Sequence, residues 1–191
     1  MQRKILLILS VCAFLVMGVS SVFAQEFSAD MVSRMGKQTM TAKIFVAKDK
    51  IRMEMPGSIM IIRSDKKVSW MIMPSEKMYM EQPIDMSKAP KTAKEFAGEL
   101  ERTSLGMETI NGQQTEKFQV TYTEDKKTMS VYQWIKDGQI PVKVEAVDGS
   151  WSMEYQNLKV GPPPADLFEP PAGYEKMAMP SIGDLMKGMI R

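Results

Sequence analysis

The sequence predicts a mainly β protein with one antiparallel sheet of about ten or eleven strands, a number that tends to curl or close into a barrel. Apolar and polar residues alternate through short segments, which is typical of strands with one face in water. Turn signals, of which Asn111-Gly112 is the strongest, separate these segments at hairpin spacing. Methionine is abundant, with 20 in the chain, and it recurs at positions i and i+2, which point to one side of a strand.

The first run of predicted strands ends at the break that Pro83 introduces. Ile51, Met53 and Met55 alternate with polar neighbours, whereas the segment around Met60 is apolar on both faces and therefore fits a covered central strand. Short polar or Pro/Gly turns separate the segments. The predicted strands are residues 41–48, 50–56, 59–62, 68–73 and 77–82.

A helical insertion is predicted next, at about residues 84–100, because this stretch has no strand pattern. Ser87 and Pro90 suit a helix start, and Gly98 weakens the end. The second run of strands begins near Glu101 and continues as a meander to residue 160. A Pro-rich closing segment, residues 166–174, follows, and the tail at 178–191 has the apolar spacing of a short amphipathic helix.

The N-terminus has the pattern of a secretory signal peptide over residues 1–24. Arg3 and Lys4 precede an apolar run that is short for a membrane span, and Ala24 ends a small-residue cleavage site. We therefore expect export to the periplasm and cleavage after Ala24. The mature chain, from residue 25 onward, is long enough for one domain with a substantial core.

Composition excludes several classes of site. The only cysteine, Cys12, lies in the predicted signal, and the chain has no histidine, so thiolate chemistry and the commonest general base are missing. Without Arg3 and Lys4 the acidic and basic residues balance, which disfavours nucleic-acid binding. No motif pairs two carboxylates or a serine with a lysine, so we predict no enzymatic activity, no catalytic residue, no metal ligand and no cofactor.

Several stretches of the chain resemble the LolA-like superfamily. They are residues 42–46, 50–54 and 65–70, then Pro74 and Lys77-Met78, together with the closing segment 166–174. This superfamily includes periplasmic lipoprotein carriers, sensor domains of envelope-stress regulators and small exported proteins of unknown function, and the chain looks most like the last group. The resemblance implies an unclosed, curved antiparallel β-barrel over residues 25–177, with the helical insertion as a lid over an apolar cavity. The chain differs from the lipoprotein carriers at its start, because its strand pattern begins almost directly after residue 25.

The methionine pairs Met53-x-Met55, Met71-x-Met73 and Met78-x-Met80 have three interpretations. Methionine fills irregular gaps in a core, it suits an adaptable cavity for acyl chains, and its thioether selects Cu(I). Dedicated copper sites usually add His or Cys, and the mature chain has neither. The three tryptophans are core residues by default, with pocket lining as the alternative.

From these patterns and the resemblance we expect a hydrophobic-ligand or lipidated-protein binding protein of the cell envelope. Its partners are expected to be a lipid or acyl chain and lipoproteins, with transient membrane contact and a monomeric state. The alternatives are an envelope interaction or sensor module with no ligand cavity, and a methionine-based Cu(I) binder. The expected ligand-binding residues are Met53, Met55, Met60, Trp70, Ile72, Met78, Met80, Phe96 and Trp134.

Overall fold

The computed structural model describes residues 25–85 and 95–177. These residues form twelve strands and one short 3₁₀ helix, Ala165–Phe168. The strands are β1 Phe27–Met35, β2 Gln38–Ala47, β3 Lys50–Met55, β4 Ser58–Arg63, β5 Val68–Met73, β6 Met78–Pro83, β7 Glu99–Ile110, β8 Gln113–Glu124, β9 Lys127–Lys136, β10 Ile140–Ala146, β11 Trp151–Val160 and β12 Glu175–Lys176.

All twelve strands belong to one curved sheet in the order β12-β6-β5-β4-β3-β2-β1-β11-β10-β9-β8-β7. Every described pair is antiparallel except β12 with β6, which is parallel. The order begins with β12 and ends with β7, so the sheet is an unclosed barrel, as predicted. No helix in the described ranges is long and apolar enough to cross a membrane.

β1 joins two meanders, because it pairs with β2 on one side and with β11 on the other. Met31 lies opposite Ala42 in the first pairing and opposite Tyr155 in the second. The pairing with β11 joins the two meanders into one sheet, and Phe27, Met31 and Tyr155 are buried along it. The principal core cluster forms here around Phe27, which is fully buried.

The turns follow local sequence chemistry. Asn111 and Gly112 have φ values of +49° and +74°, the two positive angles that a two-residue hairpin turn requires. The predicted meander after residue 101 is confirmed, because β7 to β11 are successive neighbours in the sheet.

The predicted helical insertion at 84–100 is only partly covered by the described residues. Positions 86–94 lie outside them, and the described flanks on either side are not helical. Its predicted end was wrong, because β7 begins at Glu99 and Leu100 is a strand residue. Gly98 makes the turn before β7, and its carbonyl accepts a hydrogen bond from the Thr123 amide at 2.9 Å. The tail at 178–191 and the predicted signal at 1–24 also lie outside the described residues.

Candidate functional site

Four methionines form a continuous row across four neighbouring strands. Met53 lies opposite Met60, Met60 lies opposite Met71, and Met71 lies opposite Met80. Directly opposed residues of an antiparallel pair share one face, with their Cβ atoms about 4.5–5.5 Å apart. The row therefore runs for about 14 Å, the width of three strand spacings.

A second row of methionines flanks the first on the same face. Met73 lies opposite Met78, and Met55 lies opposite Ser58. We call this surface the methionine face, and its seven thioether side chains are those of Met53, Met55, Met60, Met71, Met73, Met78 and Met80. Met71 and Met73 were missing from the expected ligand-binding residues, although their i, i+2 spacing in the sequence was the signal that could have included them.

Burial falls across the methionine face from β3 to β6. Met53 is only 6% exposed and belongs to the principal core cluster, against which Met55 and Met60 also pack. Met71, Met73, Met78 and Met80 are half-buried and do not contribute to the three core clusters of the described chain. The outer part of the face is thus an apolar surface that the described residues leave partly open.

The methionine face carries no charged side chain within β3 to β6. Arg52, Glu54, Arg63 and Glu81 occupy the alternate positions of these strands and therefore point to the opposite side of the sheet. Ser58, Ser69 and Gln82 are its polar members. Such a surface can hold apolar groups without desolvating a charge.

The structure places Trp70 and Ile72 on the opposite face from the methionines. They pack with Ile61 around Phe168, which is 1% exposed and comes from the 3₁₀ helix. The Trp70 indole donates to Glu81 at 2.9 Å. These two residues are therefore core residues beneath the closing segment and do not join the methionine face.

Two arginines hold the closing segment on that opposite face. Arg52 donates to the Leu167 carbonyl at 2.8 Å, and Arg63 donates to the Phe168 carbonyl at 3.1 Å. Arg63 also donates to both carboxylate oxygens of Asp65 at 2.8 and 2.7 Å and contacts Glu169. These contacts satisfy carbonyl groups that would otherwise be buried without a partner.

Phe96 and Trp134 lie in the other meander. The Phe96 ring stacks on Tyr122 with centroids 4.9 Å apart and packs against the cluster around Val120. Trp134 is buried between the ammonium groups of Lys117 and Lys143, which lie 4.7 and 4.5 Å from its ring. Phe96 therefore stays with the cluster around Val120, whereas Trp134 belongs to the principal core cluster that also contains Met53.

The strand carboxylates have structural partners. The Trp134 indole donates to Glu108 at 2.9 Å, and this bond holds the pKa of Glu108 below its ordinary value. Hydrogen bonds from Lys176 and Trp70 likewise lower the pKa of Glu81. Within residues 25–85 and 95–177, no group of three or more acidic, His or Cys side chains is arranged to hold a metal ion.

Solved structures with a similar fold include MucB. In the complex of Pseudomonas aeruginosa MucA and MucB, the match is 14% identical with a TM-score of 0.52 and covers 78% of this chain and 56% of that one. A crystal structure of MucB matches at 13% identity and a TM-score of 0.55, covering 80% of this chain and 59% of that one. The chain therefore spans little more than half of the MucB chains that it matches.

A LolA superfamily protein from Nitrosomonas europaea is also similar, at 11% identity and a TM-score of 0.33, covering 76% of this chain and 89% of that one. The unclosed antiparallel sheet that the expected resemblance implied is confirmed by the strand order of the structure itself. No curated protein is similar enough to the chain to count as a relative. A family model described as a domain of unknown function matches residues 15–141, so the chain belongs to the DUF4412 family.

Proposed function

We propose that the protein is a non-enzymatic binding protein of the cell envelope whose methionine face receives acyl chains or similar apolar groups. One observation carries the proposal. Seven methionines share an uncharged face, and those on β5 and β6 are half-buried and lie outside the described core clusters. An apolar ligand laid across this face would remove thioether surface from water.

The side-chain chemistry suits a ligand of variable shape. Methionine is unbranched and polarisable, so a face built from it adapts to different apolar partners. Each methylene of a buried chain contributes about 0.8 kcal/mol to binding. The row of about 14 Å, three strand spacings long, provides contact along the chain rather than at a single point.

The predicted signal peptide at residues 1–24 supports a role in the cell envelope. MucB, which has a similar fold, is solved in complex with MucA. We therefore propose that residues 1–24 direct export, that cleavage follows Ala24, and that the mature chain works in the periplasm as a monomer. Its ligand would be a free lipid or the acyl chain of a lipoprotein, with transient contact at a membrane surface.

The test is uptake of a fluorescent fatty acid by the mature protein. Met78→Asp should lower uptake at least tenfold, because an apolar chain cannot solvate a carboxylate on its binding surface. Met78 is half-buried, so this change is better tolerated than Met53→Asp, which would bury a charge in the core. Met107→Asp is the matched control, since Met107 is 69% exposed on β7, across the sheet. Equal uptake by folded Met78→Asp and by the control would contradict the proposal.

A second candidate function is protein binding at the β7 edge. Leu100, Leu105 and Met107 are all exposed on β7, which ends the strand order of the described sheet. An unpaired edge with apolar side chains is a template for a partner strand. Leu105→Asp should weaken binding of such a partner and leave fatty-acid uptake unchanged, whereas Met78→Asp should do the reverse.

A further inference from the structure

The methionine row has a chemical property that acyl-chain binding does not need. Leucine or isoleucine at the same positions would give an equally apolar surface, and neighbouring strand positions do carry isoleucine, as at Ile61, Ile62 and Ile72. Three successive strands instead present a thioether at directly opposed positions, Met60, Met71 and Met80. Sulfur, unlike a methyl group, is a soft metal ligand.

We infer that Met60, Met71 and Met80 form a thioether site for a soft monovalent cation, Cu(I). Met71 occupies the middle strand, with Met60 opposite it on one side and Met80 on the other. Neighbouring Cβ atoms are about 5 Å apart, so the three rotatable bonds of each side chain bring the outer sulfurs toward the central one. All three side chains are half-buried, which leaves a path for the ion from solvent.

The ligand set selects the metal. Neutral thioethers are soft donors that favour Cu(I), whereas Mg²⁺ and Ca²⁺ require oxygen ligands and Zn²⁺ prefers thiolate, imidazole or carboxylate. The methionine face has no charged side chain on β3 to β6, so a monovalent ion costs less to desolvate there than a divalent one. At the rim, Glu175 of β12 pairs with Met78 of β6 and places one exposed carboxylate beside the face.

This site goes beyond the proposed function and does not depend on it. An acyl chain needs the apolar surface of the face, and Cu(I) needs the sulfur atoms. Met→Leu substitutions conserve volume and apolarity and remove the sulfur, so they test the metal site directly.

The experiment is an anaerobic titration of the mature protein against a coloured Cu(I)–chelator complex. We expect the wild type to withdraw one Cu(I) per chain, and the double variant Met60→Leu/Met71→Leu to bind at least tenfold more weakly. The matched control is Met107→Leu/Met129→Leu, which removes two sulfurs from the other meander and should bind as the wild type does. Circular dichroism and denaturant unfolding establish that each variant is folded.

Each outcome decides the inference. Weaker Cu(I) binding by folded Met60→Leu/Met71→Leu than by the folded control variant would support the thioether site. Wild-type protein that withdraws no Cu(I), or equal Cu(I) affinity in the two double variants, would overturn it. In a parallel titration against a Zn²⁺–chelator complex, tighter binding of Zn²⁺ than of Cu(I) would also overturn it, since thioethers do not explain that selectivity.

Discussion

Met60 and Met71 are cross-strand partners at the centre of the methionine row. Their opposition depends on turn lengths, because the loops at 56–57, 64–67 and 74–77 set which residues of β3, β4, β5 and β6 lie opposite each other. A slip of one residue in any of these hairpins would move a methionine to the opposite face. The methionine face is therefore a product of register as much as of composition.

Mild peroxide should oxidise the outer methionines of this face before the core methionines. Met71 and Met80 are half-buried, whereas Met31 is 1% exposed, and oxidation requires access to the sulfur. Peptide mass spectrometry over a time course measures the order, and protein in urea serves as the control in which all methionines react alike. If Met31 were oxidised as fast as Met71 in folded protein, the difference in burial between these two methionines would be contradicted.

Phe168→Ala should destabilise the fold by about 3–5 kcal/mol. The side chain is 1% exposed and fills the cluster of Ile61, Trp70 and Ile72, so its removal leaves a cavity beneath the closing segment. Leu100→Ala is the control, because Leu100 is 65% exposed and its loss should change stability by no more than about 0.5 kcal/mol. Denaturant unfolding measures both, and similar midpoints would show that Phe168 does not support the sheet.

Stability should fall in acid because of the carboxylates around Arg63. A hydrogen bond from Arg63 lowers the pKa of Asp65, and hydrogen bonds from Lys66 and Arg63 outweigh burial to lower that of Glu169. Both folded pKa values lie below the ordinary 3.8 and 4.5, so this contribution is complete above about pH 4.5 and is lost as pH falls through the folded values.

The free energy of unfolding between about pH 3 and pH 7 measures this effect. Arg63→Met should reduce the loss in acid and cost about 1–3 kcal/mol at neutral pH, because the Phe168 carbonyl loses its donor. Arg34→Met is the control, since its bond to Glu154 is long at 3.4 Å and exposed. A pH profile unchanged by Arg63→Met would contradict the assignment.

Gly98→Ala should destabilise the start of β7 more than Gly112→Ala destabilises the β7–β8 turn. Both glycines have positive φ, +72° and +74°, so alanine is strained by about 1–2 kcal/mol at either position. Only at Gly98 would the added Cβ approach a neighbour, the Thr123 carbonyl oxygen at 2.4 Å. Thermal unfolding compares the two variants, and equal losses would show that the backbone there adjusts freely.

Much of the fold could be predicted because its signals are local. Asn111-Gly112 specified a hairpin turn, and alternation around Met53 specified a strand with two unlike faces. Alternation also predicts the face on which Trp70 and Ile72 lie. Each is adjacent in sequence to Met71, so its side chain must point to the opposite side of the strand. Grouping them with the methionines as ligand-binding residues ignored that parity.

The end of the predicted helical insertion shows where local signals were insufficient. Leu100 suits a helix by propensity, yet it belongs to β7, because Glu99 pairs with Tyr122 and Arg102 with Val120. Backbone pairing with β8 outweighs the weak preference of single residues for helix. The sequence did not predict β12 either, because its two residues form a strand only through their pairing with the distant strand β6.

The sequence by itself determined the strand class, most of the turns and the side of its own strand on which each methionine lies, because backbone geometry sets the two-residue period locally. Only the tertiary structure decided that Met53, Met60, Met71 and Met80 form one row, since register depends on pairing between strands. It also decided that Phe168, more than one hundred residues from Ile61, covers the opposite face. Contacts between distant residues form only when burial of apolar surface outweighs the entropy of closing the chain, and this balance cannot be read from any single segment.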